Sequence, residues 1–248
     1  MRYTVTVSPD FTPNRIAGWY IFNTWLQKTL GVTVRLAMHN SFDEHRAAIA
    51  ADKIDLIYAN PYDAATLVRE KGFVSLATAE GKADEVILAA RAGADIRAIE
   101  DLAPGARIAR TDDPDVNMVG MIMLEPANLD AENTTVSELP TYVVVAKQLI
   151  QNQADVGFFL KDAFNDLSPL VKKQLVTLVA SQIDVIRHAF MLGPRMADLR
   201  KPMMEALLNM PNTGKGRDAL RQLGFVRWKA MLQEDTEFMI DLMDTLVD

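Results

Sequence analysis

Apolar and polar positions along the first eighty residues follow two alternating periods. Residues 3–7 are β-branched and alternate with period two, the pattern of a strand. Ile16, Trp19, Tyr20, Phe22, Leu26 and Leu30 then recur at helical spacing, with Gly31 as a stop. Residues 32–38 read as a second strand. Ser41-Phe42-Asp43-Glu44 is a capping box that predicts a helix from Ser41 to about Asp52. A short buried strand at 55–58 leads to Asn60-Pro61, which opens another helix ending near Gly72, and 73–79 reads as a fourth strand. Strands alternating with helices predict an α/β protein built on mostly parallel sheet covered by helices.

The pattern restarts at Asp84. Strands are predicted at 85–91, 107–110, 134–136, 155–159, 175–180 and 185–192, with a helical turn at 99–102 and helices at 114–127 and 141–152. After Gly193-Pro194 only helical spacing remains, so the expectation is two α/β units followed by a helical tail. Trp228, Met231, Leu232, Phe238, Met239, Leu242, Met243 and Leu246 fall on one face of that tail. Such a face docks on its own lobe or takes a partner helix.

Composition narrows the classes. Hydrophobic residues make up 49% of the 248 and charged residues 24%, ordinary for a chain with real cores. A net charge of -7 without any dense Lys/Arg block disfavours nucleic acid. The absence of cysteine excludes disulfides, thiolate zinc sites and cysteine nucleophiles. Residues 1–7 read as a strand and not as a signal peptide, and no apolar run reaches membrane-span length. The chain is accordingly expected to be cytosolic or a mature extracytoplasmic form.

Several segments in order resemble the phosphate/phosphonate-type family of solute-binding proteins linked to ABC transporters. Leu30-Gly31-Val32-Thr33-Val34 is followed by the helix carrying Ala47-Ala48-Ile49-Ala50-Ala51, which runs into Asp55-Leu56-Ile57-Tyr58-Ala59-Asn60-Pro61-Tyr62-Asp63-Ala64. Residues 95–109 are similar to the family's I-x-S-x-x-D-L-K-G-K-x-V-A element, and Asn152-Gln153-Ala154-Asp155-Val156-Gly157 is similar to its G-x-A-D-A-G element. The resemblance covers roughly residues 3 to 225. It implies a two-lobed type 2 periplasmic-binding-protein fold. The first lobe would take residues 1–83 and the return 188–248 with its C-terminal helices, and the second lobe 84–187. Crossovers near 82–86 and 183–188 would form a hinge, and closure would trap the ligand between lobes.

In open α/β sheets ligands sit beyond the carboxyl ends of strands, where helix N-termini point their amides. Candidate ligand-binding residues at those ends are Asp10, Tyr58, Asn60, Tyr62, Thr111, Asp112, Asp113, Thr141, Tyr142, Lys161 and His188. In the family the Tyr58–Tyr62 segment faces the cleft; Tyr58 read alone is equally a core residue, and Asn60 and Thr141 are equally helix caps. The family's small hydroxyl run, which holds a phosphonate at a helix N-terminus, is replaced here by Thr111-Asp112-Asp113-Pro114-Asp115. Three aspartates already complement the helix dipole, and a dianion would meet like charge. These aspartates either only cap the helix or reach a cationic, zwitterionic or metal-bearing ligand. Of the three histidines, His45 reads as solvated, His39 ends a strand near the expected cleft, and His188 sits at the second crossover as a hinge, cleft or plain structural residue.

The expectation is therefore a solute-binding protein that captures a small polar ligand and hands it to a membrane transporter permease, without a cofactor or metal. The alternatives are a ligand sensor for a sensor kinase, or a small-molecule enzyme on the same fold. Against the enzyme, the chain has no Gly-rich phosphate loop, no G-x-S-x-G elbow and no nucleophile with a nearby base.

Overall fold

The computed structural model describes residues 2–10 and 15–247, with side chains to residue 245. The chain divides into two compact units: Met1–Ala83 with Arg187–Asp244, and Asp84–Ile186 with Thr245–Asp248.

In the first unit β1 (Arg2–Val7), α1 (Ile16–Leu30), β2 (Thr33–Ala37), α2 (Phe42–Ala50), β3 (Leu56–Ala59), α3 (Pro61–Arg69) and β4 (Val74–Ala79) follow the predicted alternation. The second unit holds β5 (Val86–Arg91), β6 (Arg107–Arg110), α4 (Pro114–Ile122), β7 (Thr135–Glu138), α5 (Tyr142–Ile150), β8 (Val156–Leu160), α6 (Lys161–Asp166), α7 (Pro169–Lys172) and β9 (Leu175–Ala180). The chain then returns to the first sheet with β10 (Ala189–Leu192), followed by α8 (Arg200–Leu208), α9 (Gly214–Leu223), β11 (Trp228–Ala230) and α10 (Gln233–Val247).

The first sheet has the order β11-β4-β10-β3-β1-β2 and the second β7-β6-β8-β5-β9. β1 is parallel to both β2 and β3, and β10 is antiparallel to both β3 and β4. β1 to β4 therefore share one direction, while β10 and β11, on either side of β4, run against them. In the second sheet β6, β7 and β8 are parallel and β5 is reversed between β8 and β9. Each sheet is thus mostly parallel in direction and mixed in pairing. β5 and β10, each the first strand laid down after the chain crosses from one sheet to the other, are both reversed, and Asp84 N donates to Ile186 O at 2.8 Å where the two crossings meet.

The first core gathers Trp19, Phe22 and Leu26 from α1 with Tyr58, Phe190 and Trp228 from the sheet. Trp19 and Phe22 pack edge to face at 5.6 Å, and Phe22 meets Phe190 in the same way at 5.5 Å. In the second unit a Cβ on Gly120 would lie 2.5 Å from the Phe158 ring, so only glycine lets α4 sit this close to β8.

Four expectations change. The tail is not wholly helical: Trp228–Ala230 pairs antiparallel with β4, because the large indole completes the sheet core while Lys229 faces outward. The tail face is also split. Trp228, Met231, Met239 and Met243 are buried, whereas Leu232 and Phe238 are exposed; the Leu246 side chain lies outside the described residues. The predicted strand over 185–192 shortens to Ala189–Leu192, and the helix over 114–127 ends at Ile122 before a tight turn at Glu125–Ala127 that carries Pro126.

Candidate functional site

Strand direction decides where the polar residues collect. The carboxyl ends of β1, β2 and β3 and the amino end of β10 lie at one edge of the first sheet, so Ser8, Asp10, His39, Asn60 and His188 come to that edge. The carboxyl ends of β6, β7 and β8 and the amino end of β5 do the same in the second unit, for Thr111, Thr141, Lys161 and Glu85.

In the first unit Asp10 and His188, 178 positions apart, meet with Oδ2 and Nε2 at 2.8 Å, and both are buried. The His188 ring stacks on Tyr58 at 5.0 Å and 28°, and the Thr78 hydroxyl donates to the His188 carbonyl at 2.8 Å. Tyr58 itself is buried against Trp19, Phe225 and Trp228. Tyr62, in contrast, is 49% exposed. Asn60 is fully buried and caps α3, its Oδ1 accepting from Asp63 N at 2.8 Å.

His45 is a correction: it is not solvated but completely buried. Phe42, His45 and Ile49 stand at i, i+3 and i+7 and form the inward stripe of α2, so helical phase overrides polar character. Its Nδ1 lies 3.4 Å from Nδ1 of His39, whose Nδ1 is in turn 3.1 Å from the Thr6 hydroxyl. Burial, reinforced by His39, pushes the His45 pKa down to about 4, and burial also lowers that of His39. Next to them Asp63 is buried and accepts from Arg46 Nε at 2.8 Å; burial pushes its carboxyl above the usual range while Arg46 pulls it back. Arg46 and Asp63 are a pair that sequence reasoning missed. The available signal was Asp63 three positions after the Asn60 cap, where a carboxylate belongs in the first turn of a helix.

In the second unit Asp113 is buried and does the capping expected of it. Its Oδ1 accepts from Val116 N at 3.4 Å, and its Oδ2 accepts from the Tyr142 hydroxyl at 2.7 Å. Thr111 is buried, with its carbonyl taken by Asn117 Nδ2 at 2.9 Å. Asp112 is half-buried, and Asp115 is buried in the first turn of α4. Thr141 is exposed and caps α5, while Lys161 and Asp162 are exposed at the start of α6. The structure thus joins Asp113 to Tyr142 directly and leaves Lys161 on the surface. Glu85 and Ser181 form a further buried pair at this edge that the sequence did not signal, the Ser181 hydroxyl donating to the Glu85 carboxylate. Among the described residues no His/Asp/Glu group has the arrangement of a metal site. Away from these edges, a groove of about 660 Å³ lies between the second half of α1 and the start of α9, lined by Tyr20, Trp25, Lys28 and Lys215 among others.

Comparison with known proteins gives the family and the fold. The family model described as "ABC transporter, phosphonate, periplasmic substrate-binding protein" matches residues 5–236. No curated protein matches the chain. Among solved structures, PhnD1 of Prochlorococcus marinus in complex with methylphosphonate superposes with a TM-score of 0.86 at 11% identity, over 99% of this chain and 98% of that one. A binding-protein component of an ABC phosphonate transporter from Pseudomonas aeruginosa reaches 0.80 at 16% identity, over 99% and 85%. XAC2383 of Xanthomonas citri bound to ATP reaches 0.76 at 12% identity, over 100% and 99%. At such identities the likeness is one of fold.

Proposed function

The chain belongs to the family of periplasmic substrate-binding proteins of ABC phosphonate transporters, and from that premise we propose that its two units close over a small polar solute held by their strand-end residues, then pass it to a membrane permease. The family is one of transport components, not enzymes, and among the described residues no helix is long and apolar enough to cross a membrane. Our reading places the protein outside the cytoplasm, binding its solute without altering it. What carries it is the collection of the polar candidates at one edge of each sheet: Asp10, Asn60, Tyr62 and His188 in one unit, and Thr111 to Asp113 with Tyr142 in the other. The closing movement would run through the crossings near residues 82–86 and 183–188.

The same geometry argues against a phosphonate dianion at α4. A helix N-terminus attracts anions through its free amides and dipole, but here the Asp113 carboxylate occupies that position, with Asp112 and Asp115 beside it.

A thermal-shift screen of polar metabolites tests the reading. A true ligand at about a hundred times its Kd should raise the melting temperature by roughly 5–10 °C, since such saturation contributes about 2.7 kcal/mol. The solute should be recovered intact. Conversion of a stabilising solute into product would transfer the protein to the enzymes.

A further inference from the structure

Arg46 is held in a way that packing alone does not require. It sits one turn into α2, and its guanidinium carbon lies 5.2 Å from the ring centre of Phe42 and 4.6 Å from that of Tyr62. Nε donates to Asp63 Oδ1 at 2.8 Å. This is a one-point contact, although the guanidinium fork is built for two parallel bonds to a carboxylate. The remaining guanidinium nitrogens have no hydrogen-bond partner among the described residues, and Nη2 is buried. The side chain is nevertheless 34% exposed and shares its surface with the open Tyr62 ring. A cation fixed between two rings, anchored from behind and with donors left over, is a receptor for an oxyanion arriving from solvent.

We propose that Arg46 binds the anionic group of the solute, and that this group is singly charged, of the carboxylate class. The inference rests on the solute-binding reading above and places the anion on the first unit, not at the capped helix of the second. Charge sets the class. Asp63 stands directly behind Arg46, so the pair is close to neutral in sum. A carboxylate gains a charge-assisted hydrogen bond from the solvent-facing part of the guanidinium, whereas the second charge of a phosphonate meets Asp63 without a further cation. The Tyr62 ring, exposed on the same surface, covers the apolar part of a short ligand.

The test is calorimetry with a matched set of probes: β-alanine, lactate and glycine betaine, their amides, which lack the carboxylate charge, and methylphosphonate with 2-aminoethylphosphonate. At least one carboxylate should bind, its amide should bind at least tenfold more weakly, and the phosphonates should bind more weakly than the carboxylates. Arg46→Gln should weaken the carboxylate at least tenfold; it also leaves the buried Asp63 carboxyl without its cation, so its ligand-free melting temperature is measured alongside. Arg46→Lys, which keeps the charge but has one nitrogen to serve both Asp63 and the solute, should lose several-fold and serves if the glutamine variant folds poorly. Unchanged carboxylate binding in both variants would overturn the proposal, as would amides or phosphonates binding as tightly as the acids, or no binding by any carboxylate. Stabilisation by an uncharged solute alone would leave the solute-binding reading intact and remove only this one.

Discussion

Exchanging Asp113 for serine is expected to tighten methylphosphonate binding at least tenfold. In the parent protein the Asp113 carboxylate caps α4 through Val116 N and receives the Tyr142 hydroxyl. A dianion brought to the same amides would lie within a few ångströms of it. Two charges 4 Å apart repel by about 4 kcal/mol at the effective dielectric of a partly solvated site, so even a heavily screened remnant exceeds the 1.4 kcal/mol of a tenfold change. Serine still caps a helix, and it leaves a hydroxyl in place of the charge. The Tyr142 hydroxyl then becomes a donor facing the vacated position. Calorimetry on Asp113→Ser and on the Asp112→Ser/Asp113→Ser double variant checks this, with micromolar methylphosphonate binding by the parent as the contrary result.

Acidification should destabilise the protein by roughly 3 kcal/mol through His45 alone. Its pKa is held near 4 by burial, against 6.5 for a free histidine, and each unit of such a difference is worth about 1.4 kcal/mol. The folded state keeps His45 neutral while the unfolded state takes up a proton below pH 6.5. Stability is therefore complete above that pH, falls as the pH drops from about 6.5 towards 4, and levels off below. His39, also lowered by burial, acts in the same direction. Asp63 opposes it: a carboxyl raised by burial is protonated in the folded state first, which favours folding as acid is added. Denaturant unfolding of parent and His45→Gln across pH 4–7 isolates the term. The gap between the two curves should shrink on acidification, and a constant gap would show that His45 is not held neutral.

The residues at the sheet edges were legible because β/α alternation fixes which ends of the strands face one way, and because caps have a chemistry of their own. Ser41, Asn60, Asp113 and Thr141 all cap the helices predicted to follow them. His45 was misread by judging a side chain by its polarity when its spacing from Phe42 and Ile49 already placed it inside. β11 escaped because three residues are too few to establish a period. The pairs Asp10–His188 and Tyr142–Asp113 join positions 178 and 29 apart, and no local pattern encodes such meetings. Arg46 carried no signal at all, since its setting depends on Tyr62 and Asp63 arriving from the next helix.

Hydrogen exchange in the presence and absence of the most stabilising solute tests the placement of the site most directly. Slowed exchange at residues 58–63 in one unit and at 111–117 and 141–145 in the other is the predicted result. Protection confined to the groove between α1 and α9, with both strand-end edges exchanging as before, would contradict it.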